Sequence, residues 1–210
     1  MQNRAEHPLR YLALGDSYTI GEDVPAQARW PMQLVEKLRK QRIAVGDPQI
    51  VAVTGWTTDE LSAGMDQAAF APGYDLVTLL IGVNNQYRGR PAEEYREQFR
   101  ALLMRAVTLA DRHAERVVVV SIPDWGVTPF GYASGRDRRQ IAHELDDFNA
   151  IARDEATETG AHFVNITGIS REHAGLVASD GLHPSGAQYA LWTEAIEPVV
   201  TEAMRHLSHL

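Results

Sequence analysis

Nearly continuous apolar runs alternate along the chain with longer segments of helical period. The runs at 76–83 (LVTLLIGV) and 117–122 (VVVVSI) are barely interrupted, as expected of strands covered on both faces. Shorter β-rich runs lie at 11–14, 50–53 and 162–166. Between the runs, periodic segments predict helices over 29–42, 58–70, 92–114, 137–159 and 185–207. Pro91 and Pro184 stand at or just before two of these starts, where a missing N–H costs nothing. The βαβα order predicts a parallel sheet with helices on both faces. No repeat, low-complexity tract or linker interrupts it, so residues 1–210 read as one domain.

Composition narrows the function classes. Hydrophobic residues make up 44% and charged residues 23%, a soluble globular balance. A formal net charge of -8 argues against a nucleic-acid surface, which needs a basic stripe. The one dense basic cluster, Arg136, Arg138 and Arg139, is interrupted by Asp137 and reads as a solvated helix start. The chain has no cysteine, which excludes disulfides, thiol nucleophiles and thiolate-bound metals. The N-terminal residues carry no apolar leader, and no run approaches a membrane span, so a cytoplasmic location is expected.

In parallel sheets, ligands gather beyond the carboxyl ends of the strands. The segments there are GDSYTIG, TGWTTDE, GVNNQYRG and DWGVTPFGY, with SDGLHPSG just before the last helix. Acyl transfer needs a hydroxyl, a base, a group that orients the base, and donors for an oxyanion. Ser17 supplies a hydroxyl, although a serine there also caps helices. Among the histidines, His183 is best placed as a base. His113, His143 and His206 fall in helical runs, His209 is terminal, and His7 and His162 sit on the far side of their strands. His173, in a polar segment, is a weaker competitor. Asp180, three residues before His183, can orient its ring. Oxyanion donors are available from the Ser17 N–H, the Gly55 N–H and the Asn84 amide. Asp16 reads as an acceptor for nearby backbone donors.

These residues fall in four ordered blocks, GDSYTIGE, VTGWTTDEL, LLIGVNN and DGLHPSGAQYALW, which together span residues 15–192. The set resembles the SGNH hydrolases, also called GDSL-type esterases and lipases. The resemblance implies a flavodoxin-like three-layer α/β/α sandwich with a five-stranded parallel sheet and no cofactor or metal. It implies Ser17 as nucleophile, His183 as general base and acid, and Asp180 as its orienter. It implies an oxyanion hole from Ser17, Gly55 and Asn84. One position departs from the family pattern: Asn85 stands where an aspartate is common.

The expected partner is a small acyl ester, soluble or lysolipid-like, with an acetylated carbohydrate or an acyl-transfer reaction as alternatives. Trp125, Phe130 and Tyr132, in a predicted long loop at 124–135, either line an acyl pocket or pack that loop down. Trp56 and Tyr87 neighbour the presumed oxyanion residues and are expected to shape the entrance. A metal-dependent phosphoesterase built on Asp16, Asn84, Asp180 and His183 is a rival with few ligands. Neither G-x-G-x-x-G nor the P-loop pattern is present, nor is G-x-S-x-G.

Overall fold

The computed structural model describes residues 8–204. Its strands are β1 (Tyr11–Gly15), β2 (Gln49–Ala52), β3 (Leu76–Leu80), β4 (Val117–Val120) and β5 (His162–Val164). All neighbours pair in parallel, in the order β2-β1-β3-β4-β5. That is the flavodoxin-like doubly wound order, with the topological switch between β1 and β3.

The helices are α1 (Ser17–Ile20), α2 (Trp30–Lys40), α3 (Thr58–Gln67), α4 (Val83–Tyr87), α5 (Ala92–Leu109), α6 (Pro129–Ala133), α7 (Arg138–Thr159), α8 (Thr167–Glu172) and α9 (Gly186–Met204). On one face of the sheet α2 packs against α9; on the other α3, α5 and α7 lie side by side. Every residue of β1, β3 and β4 is buried, as their unbroken apolar runs require. Local chemistry fixes the helix ends. Thr57 and Glu60 form a capping box on α3, the Asp137 carboxylate caps α7, and Gly160 closes α7 in the left-handed region. The buried Glu155 carboxylate, paired with Arg96 at 2.8 Å and Arg100 at 2.5 Å, ties α7 to α5.

The predicted strands and long helices are present, with shifted ends. The third strand stops at Leu80 rather than at residue 83, because Gly82 turns the chain with φ of 130°. A Cβ at that glycine would come within 2.5 Å of the Tyr95 ring, so the turn needs glycine. The chain then enters α4, a helix the hydrophobic pattern does not announce. The fourth run leaves the sheet after Val120, where the Ile122 N–H turns instead to the Asn149 side chain at 2.7 Å. Helix α5 ends at Leu109, and left-handed Asp111 and Arg112 place His113 in a turn rather than a helix. The segment 124–135 is not a long loop: a 3-10 turn at Trp125–Val127 leads directly into α6. His7, His206, His209 and the predicted end of the last helix lie outside the described residues.

Candidate active site

Five segments meet at the carboxyl ends of β1, β2 and β3. The first is the start of α1. Gly15 ends β1 against Thr19 and the Leu80 carbonyl, with no room for a side chain, so the chain turns at once into Ser17. The Asp16 side chain accepts from the Tyr18 N–H at 3.0 Å and caps the helix. Ser17 thus stands at the first position of α1, buried and facing a cleft.

The Asp180–His183 segment is a tight reversal. Val177 bridges Pro184, the Ala178 N–H donates to the His183 carbonyl at 2.7 Å, and Gly181 takes φ of 71°. Asp180 Oδ1 accepts from the N–H groups of Leu182 and His183 at 2.8 and 2.9 Å. Its other oxygen, Oδ2, lies 2.5 Å from His183 Nδ1. Partial burial pushes the Asp180 carboxyl up, but the ring contact and the two backbone donors outweigh it and hold the group below its ordinary value. With Nδ1 engaged by the carboxylate, Nε2 is the nitrogen left to face the cleft.

Ser17, Gly55, Asn84 and His183 line one cleft of about 250 Å³, together with Tyr18, Thr54, Val83, Tyr87, Trp125, Phe130 and Leu182. Gly55 holds φ of 88°, and its carbonyl is fixed by Arg88 Nη2 at 2.6 Å. Arg88 also pairs with Glu60, so the guanidinium anchors the glycine turn to α3. Asn84 donates one N–H of its amide to the Trp56 carbonyl at 2.9 Å. An amide carries a second N–H, which remains for an acceptor in the cleft.

The structure does not bring together every residue considered from the sequence. Tyr87, Trp125 and Phe130 line the cleft; Trp56 and Tyr132 do not. The Trp56 ring packs on Gly64, where a Cβ would lie 2.1 Å from Cη2, so the ring is docked on α3. Tyr132 is 66% exposed, with the Arg138 guanidinium 3.7 Å above its ring. Trp125 combines both alternatives posed for it. It is buried and it lines the cleft, with Nε1 bonded to Gln86 at 2.8 Å. His173 is exposed after α8 and is not among the cleft residues. Among the described residues no three or more His, Cys, Asp or Glu side chains gather as a metal-ligand set.

Three contributors escape a reading of motifs. The Tyr18 ring packs against His183, with centroids 5.7 Å apart, and against Trp192 at 6.2 Å. Asp23, in the left-handed region, accepts from Ser179 Oγ at 2.5 Å and from the Asp180 N–H at 3.2 Å, tying the segment after α1 to the Asp180 turn. The Phe130 N–H donates to the Gly181 carbonyl at 3.0 Å and docks α6 on the same turn. Residue adjacency signals only the first of these; the others arise from folding.

Asn85 shows why an amide suits its position. It is fully buried, accepts from the Thr58 N–H at 3.1 Å and donates to Thr58 Oγ1 at 2.7 Å. The Thr58 hydroxyl donates onward to Gln98. A carboxylate at residue 85 could not donate to that hydroxyl and would place a charge among buried groups.

Asp16 is a buried titratable group beneath the site. Burial pushes its pKa up to about 7, against the lowering effect of the Tyr18 N–H. Its Oδ2 has no hydrogen-bond partner among the described residues. The folded value exceeds the unfolded value of 3.8, so stability from this group is full below pH 4 and falls as pH rises towards 7. At 1.36 kcal/mol per pK unit the ceiling is about 4 kcal/mol. We predict that Asp16→Asn, which mimics the neutral form, removes this component. Urea denaturation at pH 4.5 and 8 should show wild type losing more stability than the variant between the two. Equal changes would mean Asp16 titrates normally.

Comparisons with known proteins place the chain in a family. The model of the GDSL-like lipase/acylhydrolase family matches residues 13–191. An acetylxylan esterase from Geobacillus stearothermophilus is 23% identical over 154 residues, 68% of this chain and 67% of that protein. A crystal structure of an acetylxylan esterase from the same organism superposes with a TM-score of 0.68 at 17% identity, over 95% of each chain. That of a lipase/acylhydrolase from Enterococcus faecalis gives 0.71 at 17% identity, over 92% of this chain and 96% of the other. The two superpositions establish a shared fold. With a family match across most of its length, this chain belongs to the GDSL-like lipase/acylhydrolase family and is a carboxylic ester hydrolase.

Proposed function

We propose that the protein hydrolyses short-chain acyl esters through an acyl-enzyme formed on Ser17. His183 Nε2 takes the Ser17 proton as Oγ attacks the acyl carbonyl. Asp180 holds the ring in the tautomer that leaves Nε2 free and stabilises the imidazolium. The oxyanion is met by the N–H groups of Ser17 and Gly55 and by the free N–H of the Asn84 amide, donors held in place before charge develops. His183 then passes its proton to the leaving alcohol. Water, activated by the same ring, releases the acid.

The observation that carries this reading is the 2.5 Å contact between Asp180 and His183 Nδ1, with Ser17, Gly55, Asn84 and His183 on one cleft. The acyl length follows from the walls. A volume of about 250 Å³ is small for a ligand site, and Trp125, Phe130, Val83 and Leu182 give it largely apolar walls. That favours an acetyl-to-butyryl group over the long tail of a lysolipid. One relative is an acetylxylan esterase, and an acetyl donor of that kind fits a cleft of this size.

A p-nitrophenyl ester series from acetate to decanoate tests the reading. kcat/KM is expected to peak at or below four acyl carbons and to fall steeply thereafter. A maximum at eight carbons or more, or no turnover of any member, would contradict it.

A further inference from the structure

A second hollow, about 540 Å³ in volume, adjoins the cleft across Tyr87, which lines both. Its walls are chemically unlike those of the cleft. They carry Gln86, Arg88, Arg136, Asp137, Gln140 and Glu144. The sequence alone makes Arg136 part of a solvated helix start; the structure gives it a defined place. Its Nη1 donates to the Tyr87 carbonyl at 2.9 Å, and its guanidinium lies 4.3 Å over the Tyr87 ring and 5.7 Å from that of Trp125. The planar donor fork is thereby held at the boundary between the two spaces.

The acceptors are equally fixed. Glu144 receives Gln86 Nε2 at 2.7 Å on one oxygen and Gln140 Nε2 at 2.8 Å on the other. Gln86 in turn accepts from Trp125 Nε1, so a hydrogen-bonded chain runs from the wall of the acyl cleft to the floor of the hollow. Each carboxylate oxygen retains lone-pair capacity after one bond. The Asp137 carboxylate is occupied in capping α7.

We infer that this hollow is the alcohol-side subsite of the esterase and that it takes a polyhydroxylated group, a glycosyl unit, whose short acyl substituent enters the cleft. The inference rests on the esterase reading above and adds the chemistry of the leaving group. Charge decides the class. Arg88 and Arg136 balance Asp137 and Glu144, so an anion would face two carboxylates and a cation two guanidinium groups. An alkyl chain would strip water from the remaining lone pairs of Glu144 and the remaining N–H groups of Arg136 and offer nothing in its place. Hydroxyl groups both donate and accept, and so satisfy the Glu144 oxygens and the Arg136 fork together. The sizes agree: the more apolar cleft is the smaller space, and the hollow that carries the fixed polar groups is the larger.

The test compares an O-acetylated methyl glycoside with p-nitrophenyl acetate on wild type, Gln140→Trp and Arg136→Gln. Gln140 is exposed on α7, so an indole there fills the hollow without disturbing the core. Wild type is expected to deacetylate the glycoside. Each variant is expected to lower kcat/KM for the glycoside, relative to p-nitrophenyl acetate, by about tenfold or more, chiefly through KM. Turnover of p-nitrophenyl acetate without turnover of the glycoside would overturn this inference and leave the esterase reading standing. Parallel changes on both esters, or no change on either, would also overturn it. Loss of wild-type activity on both substrates would remove the two readings together.

Discussion

Ser17→Ala is expected to give a folded protein that hydrolyses p-nitrophenyl acetate about five to six orders of magnitude more slowly, the scale on which a serine triad loses its nucleophile. The physical reason is local. Ser17 puts an aliphatic hydroxyl at the first position of α1, on the cleft that His183 also lines. Stability should change little, because the helix is capped by Asp16 and not by Ser17. Stopped assays with enzyme at high concentration, beside thermal melts of both proteins, check the two halves of the expectation. Residual activity within tenfold of wild type, in a preparation free of it, would assign the chemistry to another group.

Asp180→Asn carries the second large effect. Asn keeps Oδ1 for the N–H groups of Leu182 and His183, so the tight turn should survive. Its Nδ2 faces His183 Nδ1, where a carboxylate oxygen now lies. An amide N–H there can only donate, which puts the ring proton on Nε2 and removes the lone pair that would accept from Ser17. The expected fall in kcat is about 10³ to 10⁴, with KM little changed because the substrate walls are untouched. Asp180 is held below its ordinary carboxyl value, so wild type keeps this anion through the neutral range. A kcat reduced less than tenfold would mean that another group orients the imidazole.

How legible the protein was depends on where the information resides. The runs that became β3 and β4 state their burial in composition alone, and the Asp180–His183 pair is only three residues apart, so local geometry nearly dictates its contact. The strand ends were less legible. Gly82 and the Asn149 bond to Ile122 terminate strands through contacts made across the molecule. The pocket was least legible. Trp56 and Tyr132 lie as close in sequence to site residues as Tyr87 and Phe130, yet Gly64 draws the Trp56 ring onto α3 and Arg138 covers Tyr132 outside the cleft. Which side of a short helix faces a space depends on tertiary packing, and α6 is not signalled by any periodicity over its five residues. Asn85 shows the same limit: its departure from the family pattern was visible, but its bonds to Thr58, which explain the amide, were not.

Trapping the nucleophile chemically is the most direct measurement. An alkyl p-nitrophenyl phosphonate is expected to inactivate the protein stoichiometrically, with one phosphonyl adduct mapped by peptide mass spectrometry to the Ser17 hydroxyl. Ser17→Ala should take up none, and Asp180→Asn should react far more slowly. An adduct on any other residue, or inactivation that leaves the residue-17 peptide at its unmodified mass, would contradict a nucleophilic serine at the end of β1.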